Sequence, residues 1–209
     1  QLQELSKAKD VYEKILLFDD ENYNVMLRIG EIYNALGYYS IAGSIYNEVV
    51  NCTTPTMAVY YQLALTHGNM GKYMPAVLAF HEALKLAPND IQIKYQLGVA
   101  YKELGVYDQA AYYFEEYIFQ YSEDAIAFFL LGICYLEMDD YPAAILAFQQ
   151  SNILLPNDHR TLYNIGRCYS GLEEESDAVR KFREALKINP EDPNIYYALG
   201  QSYHKLNKK

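Results

Sequence analysis

The sequence predicts an all-α solenoid of antiparallel helix pairs, on three observations. The pattern of residues 125–158, AIAFFLLGICYLEMDDYPAAILAFQQSNILLPND, returns when the chain is shifted by 34 residues in either direction. Inside each copy, apolar residues recur at spacings of three and four, which places them on one helical face. Glycine and proline stand at fixed places in the copies and divide each into two helices and a turn. Units of this kind grow by stacking on their neighbours and do not close around a single core.

Taken in order, residues 1–22 hold one helix. Its Ala8 and Tyr12 match Ala42 and Tyr46 one period later, so it reads as the second helix of a truncated repeat. Asp19, Asp20 and Glu21 then form a polar break. Five full units follow at 23–56, 57–90, 91–124, 125–158 and 159–192. Residues 193–209 are the first helix of a further repeat or a terminal helix, opened by Pro193, whose missing N–H suits a first turn. The chain thus begins in mid-pattern, as an excised fragment would.

The eighth residue of each unit is small: Gly30, Ala64, Gly98, Gly132 and Gly166, with Gly200 in the last helix. Glycine inside a helix costs about 1 kcal/mol relative to alanine, so its recurrence implies a close approach of two helices. Ala42, Ala76, Ala110, Ala144 and Ala178 stand at position twenty. Large residues surround that contact at position seven (Leu63, Leu97, Leu131), eleven (Tyr33, Tyr101, Tyr135, Tyr169, but His67) and twenty-four (Tyr46, Phe80, Phe114, Phe148, Phe182). Gly37, Gly71 and Gly105 provide left-handed helix caps. Pro88, Pro156 and Pro190 stop the second helices.

With these residues in register, each unit resembles a tetratricopeptide repeat (TPR), and the resemblance covers nearly the whole chain. Departures are His67 at position eleven, Thr54 and Ser122 in place of the closing proline, and Glu173 and Glu175 where the turn usually has Gly and Tyr. The resemblance implies a right-handed superhelix whose first helices line a concave groove. Positions two, five, six, nine, twelve and thirteen would then face that groove. Position five carries Leu27, Tyr61, Tyr95, Phe129, Tyr163 and Tyr197, an aromatic ladder. Position nine, usually polar, reads Leu65, Val99 and Ile133 in three consecutive units, then Arg167. Ile126, Leu130 and Leu136 add to the apolar stripe. An exposed stripe of this kind marks a partner site. Arg160, Arg167 and Lys205 at one end, and Arg28 and Glu31 at the other, are candidate polar contacts.

The resemblance also implies a test for chaperone binding. Family members that hold the acidic C-terminal tail of heat-shock chaperones use a carboxylate clamp of Lys, Asn, Asn, Lys and Arg. Here those positions hold Tyr61, Leu65, Gln96, Ile126 and Leu130, so no clamp is expected.

Composition narrows the function classes further. The net charge of −10 and pI near 4.8 oppose binding to phosphates or anionic lipid and are most simply read as a solvated acidic exterior. The apolar runs fall short of the ~20 residues of a membrane span, and no secretory signal opens the chain. Three cysteines point to a reducing, cytoplasmic setting, with Cys134 and Cys168 as small buried residues. The four histidines are dispersed, with His67 in a core slot, and no zinc spacing, phosphate loop or nucleophile–base pair is visible. The turn acids Asp139–Asp140 and Glu173–Glu175 suit helix N-termini. No enzyme, cofactor or metal is expected.

The reading is a protein–protein interaction scaffold within a larger complex, whose groove binds an apolar or amphipathic peptide or helix. Two alternatives stand beside it: a self-assembling structural protein, associating through the open helix that carries Tyr196, Leu199 and Tyr203, and a substrate-recruiting segment of a larger enzyme.

Overall fold

The computed structural model describes residues 2–207. Every regular element among them is an α-helix: α1 (Leu2–Leu16), α2 (Tyr23–Ala35), α3 (Tyr39–Cys52), α4 (Met57–Asn69), α5 (Tyr73–Leu86), α6 (Ile91–Glu103), α7 (Tyr107–Gln120), α8 (Ala125–Glu137), α9 (Tyr141–Leu154), α10 (His159–Gly171), α11 (Glu175–Ile188) and α12 (Pro193–Leu206). The chain divides between Leu104 and Gly105 into two compact units, α1–α6 and α7–α12. Helices of this length are marginal alone in water, so packing must hold them. Within each unit every helix packs on its neighbours in sequence, and alternate helices also touch: α2 with α4, α8 with α10, α10 with α12.

The starts of the helices are set by residues whose period was not noticed in the sequence. Asp90, Asp124, Asp158 and Asp192, one period apart, each accept hydrogen bonds from backbone N–H groups in the first turn of the following helix. Asn22 does the same for α2. The turns inside the pairs are equally uniform. Gly37, Gly71 and Gly105 have φ of 82°, 69° and 75°. Asp139 and Glu173 take the same place at φ 59° and 60°, a region that costs a residue with a Cβ. The turn is nonetheless closed identically: Asp140 N–H donates to the Tyr135 carbonyl and Glu174 N–H to that of Tyr169, both at 2.9 Å, as Tyr38 does to Tyr33 and Lys72 to His67.

The small eighth residue explains itself in the packing. A Cβ placed on Gly132 would lie 2.7 Å from the Phe148 ring, one on Gly166 2.5 Å from Phe182, and one on Gly30 2.8 Å from Tyr46. Phe148, Phe182, Tyr46 and Phe114 are among the largest fully buried side chains. The tyrosines at position eleven do more than fill space. Three of them reach back to the second helix before them: Tyr33 hydroxyl donates to Glu13 Oε1 at 3.2 Å, Tyr101 bonds His81 Nε2 at 2.8 Å, and Tyr135 donates to Glu115. His67 cannot copy this reach, and its Nδ1 is buried with no hydrogen-bond partner. Burial, with some help from Lys72, holds its pKa below the usual value.

One acid departs from expectation. Glu175 is not a solvated turn residue like its neighbours but is buried at the start of α11. Lys205 of α12 meets its Oε1 at 2.7 Å, and the Ser170 hydroxyl donates to it from the end of α10. Burial pushes this carboxyl up, but Lys205 and its hydroxyl partners outweigh that and hold it below its ordinary value. Cys134 and Cys168 are free, buried thiols, and burial pushes Cys168 up to about 12.

Gly132→Val should destabilise the fold by about 1–3 kcal/mol in urea unfolding, because the Phe148 ring must move. Gly200→Ala, where an added Cβ meets nothing within 4 Å, should instead stabilise by roughly 0.5–1 kcal/mol from helix propensity. His67→Tyr, which restores a hydroxyl at the latch position, should raise stability by about 1 kcal/mol. The Glu175 carboxyl, lowered in the folded state, contributes stability at neutral pH that fades as pH falls below the ordinary carboxylate value towards its folded one. Unfolding followed from pH 7 to pH 3 should therefore lose part of its acid sensitivity in Glu175→Gln, while Lys205→Met, which strands the buried carboxylate, should cost more than Glu175→Gln at pH 7.

Candidate functional site

The first helices of the pairs carry the residues expected to line a binding face. In the first unit these are α2, α4 and α6. Leu65 of α4 and Val99 of α6 line the same cavity, of about 240 Å³. Its other walls include Ala64, Gly68, Ala76 and Phe80, and polar groups border it at Asn69, Gln96 and Glu103. Gly68 helps to keep it open, since a Cβ there would meet no atom within 4 Å. A second cavity of about 310 Å³ lies between α2 and α4, more polar, with Leu27, Arg28, Glu31 and Gln62 among its walls. Arg28 and Glu31 pair with each other at 2.8 Å.

Tyr61 is half-buried and meets the Phe80 ring edge-on, centroids 5.7 Å apart. Tyr95 is also half-buried and lies outside the Leu65–Val99 cavity wall. The second unit repeats the aromatic arrangement: Phe129 packs on Phe148 at 5.6 Å and Tyr163 on Phe182 at 5.7 Å. Tyr61, Phe129 and Tyr163 thus lean on the ring that fills the interior of their own pair, whereas Tyr197 is 71% exposed. The Arg160 guanidinium sits 5.6 Å from the Phe129 centroid while its Nε pairs with Asp158 at 3.0 Å.

The remaining expected residues separate. Leu130 and Ile133 are half-buried, with Ile133 resting on the core cluster of α8, α9 and α10. Leu136 belongs to that cluster, at 5% exposure among Ala144, Phe148, Ile165 and Cys168. It is placed to hold helices together and not to touch a ligand. Ile126 is 60% exposed and lines a different cavity at the ends of α7 and α9. Arg167 is exposed, 3.7 Å from Glu137, and donates to Asn164 at 3.2 Å. Lys205 is committed to Glu175. Gly68 and Asn69, at groove positions twelve and thirteen, were not singled out in the sequence, although the register pointed to them.

His67 and His81 are half-buried, and burial lowers both. His159 lies 3.9 Å from Asp192, beside Asn189, at the junction of α10 and α12. Among the described residues no three of His, Cys, Asp and Glu are placed to hold a metal ion. No described helix is long and apolar enough to cross a membrane.

Comparison with known proteins agrees with the repeat geometry. No curated protein matches the chain. Among solved structures, YrrB, described as a TPR protein with an unusual peptide-binding site, superposes with a TM-score of 0.79 at 19% identity, covering 90% of this chain and 96% of its own. MamA from Desulfovibrio magneticus RS-1 gives 0.76 at 21%, covering 83% and 98%. A chain of the APC/C hetero-tetramer Cut9–Hcn1 gives 0.65 at 20%, covering 96% of this chain but 40% of its own. At these identities the likeness concerns the fold. Residues 61–125 and 95–159 match a family model described as tetratricopeptide repeat, and residues 174–207 match one described as TPR repeat. These matches span well over half of the sequence, and the chain belongs to the tetratricopeptide repeat family.

Proposed function

We propose that this chain is a non-enzymatic scaffold that binds an apolar or amphipathic segment of a partner protein on the face formed by its first helices. The observation that carries this is the cavity shared by Leu65 and Val99. Two residues one period apart, at a position usually polar in such repeats, line a single recess between α4 and α6. Gln96 and Asn69 at its border both donate and accept hydrogen bonds, as a bound peptide backbone requires. Recesses of this size accept a side chain that anchors a helix or an extended strand. In the second unit, half-buried Phe129, Leu130, Ile133 and Tyr163 offer a further apolar face, with Arg167 beside it as a polar contact. YrrB, which shares the fold, is described as having a peptide-binding site, and Cut9–Hcn1 is a hetero-tetramer. Both are consistent with a binding role.

The test is capture of partners from cell extract on the intact chain, followed by calorimetry with the captured protein. A Leu65→Glu/Val99→Glu double variant and Ile133→Glu should each weaken binding by at least about tenfold, ~1.4 kcal/mol, with the helical circular dichroism unchanged. Unchanged affinity in well-folded variants overturns the proposal.

A further inference from the structure

A further recess lies away from the Leu65–Val99 cavity. It lies in the second unit where α7 ends, α8 begins and α9 ends, and measures about 660 Å³, within the range of pockets that take ligand-sized groups. Tyr117, Tyr121, Ile126, Leu154 and Leu155 supply its apolar wall, and Ser122, Glu123 and Asp124 its polar one. Tyr117 and Tyr121 are stacked at 5.1 Å. Tyr121, Ile126, Leu154 and Leu155 are all substantially exposed.

Comparing repeats shows how the recess arises. Ala87–Pro88, Leu155–Pro156 and Asn189–Pro190 close their units, whereas here Tyr121–Ser122 stands in that place. Two residues earlier, Lys85 and Lys187 occupy a solvent position that becomes Phe119 and Ile153 in the third and fourth units. Phe119 is 93% exposed and Ile153 66%. An exposed position that holds lysine in two units thus holds a large apolar group in the two units whose second helices end at the recess.

The charged side chains that line it, Glu123 and Asp124, are both carboxylates, and the sequence to either side of them is one-sided in charge. From Glu103 to Asp158 the chain carries ten carboxylates and not one Lys or Arg. Removing those ten from the 27 acids leaves 17, equal to the 17 Lys and Arg of the remainder, so this stretch holds the whole net charge of −10. Asp124 is occupied: one oxygen caps α8 and the other accepts from the Tyr117 hydroxyl at 3.1 Å. Glu123 is left as the exposed carboxylate at the recess.

We propose that this recess is a second docking site, separate from the first-helix face, for a basic amphipathic segment of a partner protein. A large apolar side chain of that segment enters between Tyr121, Ile126 and Leu155, and a neighbouring Lys or Arg meets Glu123. Charge complementarity selects this occupant over an acidic peptide, a nucleic acid or an anionic membrane, all of which the surrounding carboxylates repel.

Nuclear magnetic resonance titration of the full chain tests this with an amphipathic peptide of about 14 residues made of Leu, Ala and Lys. Three controls accompany it: the same peptide with Glu for every Lys, an oligolysine without Leu, and the Leu65→Glu/Val99→Glu variant of the chain. Amide shifts centred on residues 117–126 and 154–155 are expected. At these residues the Glu-containing peptide should bind about tenfold or more weaker, as should the Lys peptide to Tyr121→Ala/Glu123→Lys, while in Leu65→Glu/Val99→Glu the shifts at 117–126 and 154–155 persist at the same peptide concentration. Equal shifts there with the Lys and Glu peptides, oligolysine binding there as tightly as the amphipathic peptide, or no shifts at residues 117–126 and 154–155 would each overturn the assignment, whether or not Leu65 and Val99 respond.

Discussion

The contact on which the rest of this structure depends is the seating of an aromatic ring against the backbone of the facing helix. Phe148 lies so close to Gly132, and Phe182 to Gly166, that there is no room for a Cβ. That contact fixes how near the two helices of a pair can come, and therefore which other side chains can reach across. The ring then supports a second aromatic from the first helix: Phe129 on Phe148, Tyr163 on Phe182, Tyr61 on Phe80. The aromatic ladder on the first-helix face is consequently braced by the interior. Tyr61, Phe129 and Tyr163 are half-buried by this packing, which leaves only part of each ring open to solvent.

Much of this was legible in the sequence because the framework is written several times over. A glycine repeated at one place in a helix asks for a close approach, and the aromatic sixteen residues later answers it. What could not be read is what depends on a neighbour's side chains. Leu136 looked like a groove residue by position, but Ile165 and Cys168 from the adjacent pair close over it. Glu175 looked like a turn acid, but Lys205 thirty residues on and Ser170 on the preceding helix draw it inside. The charged candidates behave alike: Arg28 is paired with Glu31 and Arg160 with Asp158. Exposed pairs of this sort contribute little stability, but they make these cations poorer anchors than a position count suggests. The capping aspartates were legible and overlooked, since their spacing equals that of the repeat.

Departures from the repeat consequently carry two different kinds of information. At framework positions a departure is a local cost borne within an unchanged geometry. Asp139 and Glu173 hold a backbone conformation that glycine adopts freely, and the turn hydrogen bonds still form at 2.9 Å. His67 occupies a tyrosine's slot with a buried nitrogen unpartnered. Such residues speak about stability. At exposed positions the framework imposes nothing, so the choice of residue is unconstrained by folding.

It is at those unconstrained positions that this chain differs most between its own copies. Lys85 and Lys187 keep their exposed position solvated, whereas Phe119 and Ile153 surrender it to apolar surface. Leu65 and Val99 make a similar change on the first helices of their own unit. Burying either patch on a partner would remove apolar area from water at roughly 25 cal/mol per Å², a gain that folding of the isolated chain does not collect. The two patches also differ in electrostatic setting. Asn69, Gln96 and Glu103 border the Leu65–Val99 recess, while Gln120, Ser122, Glu123 and Asp124 border the recess beside Tyr121. The two recesses therefore offer different chemistry beside a similar apolar wall, one carboxylate with two carboxamides in the first unit and two carboxylates with one carboxamide in the second.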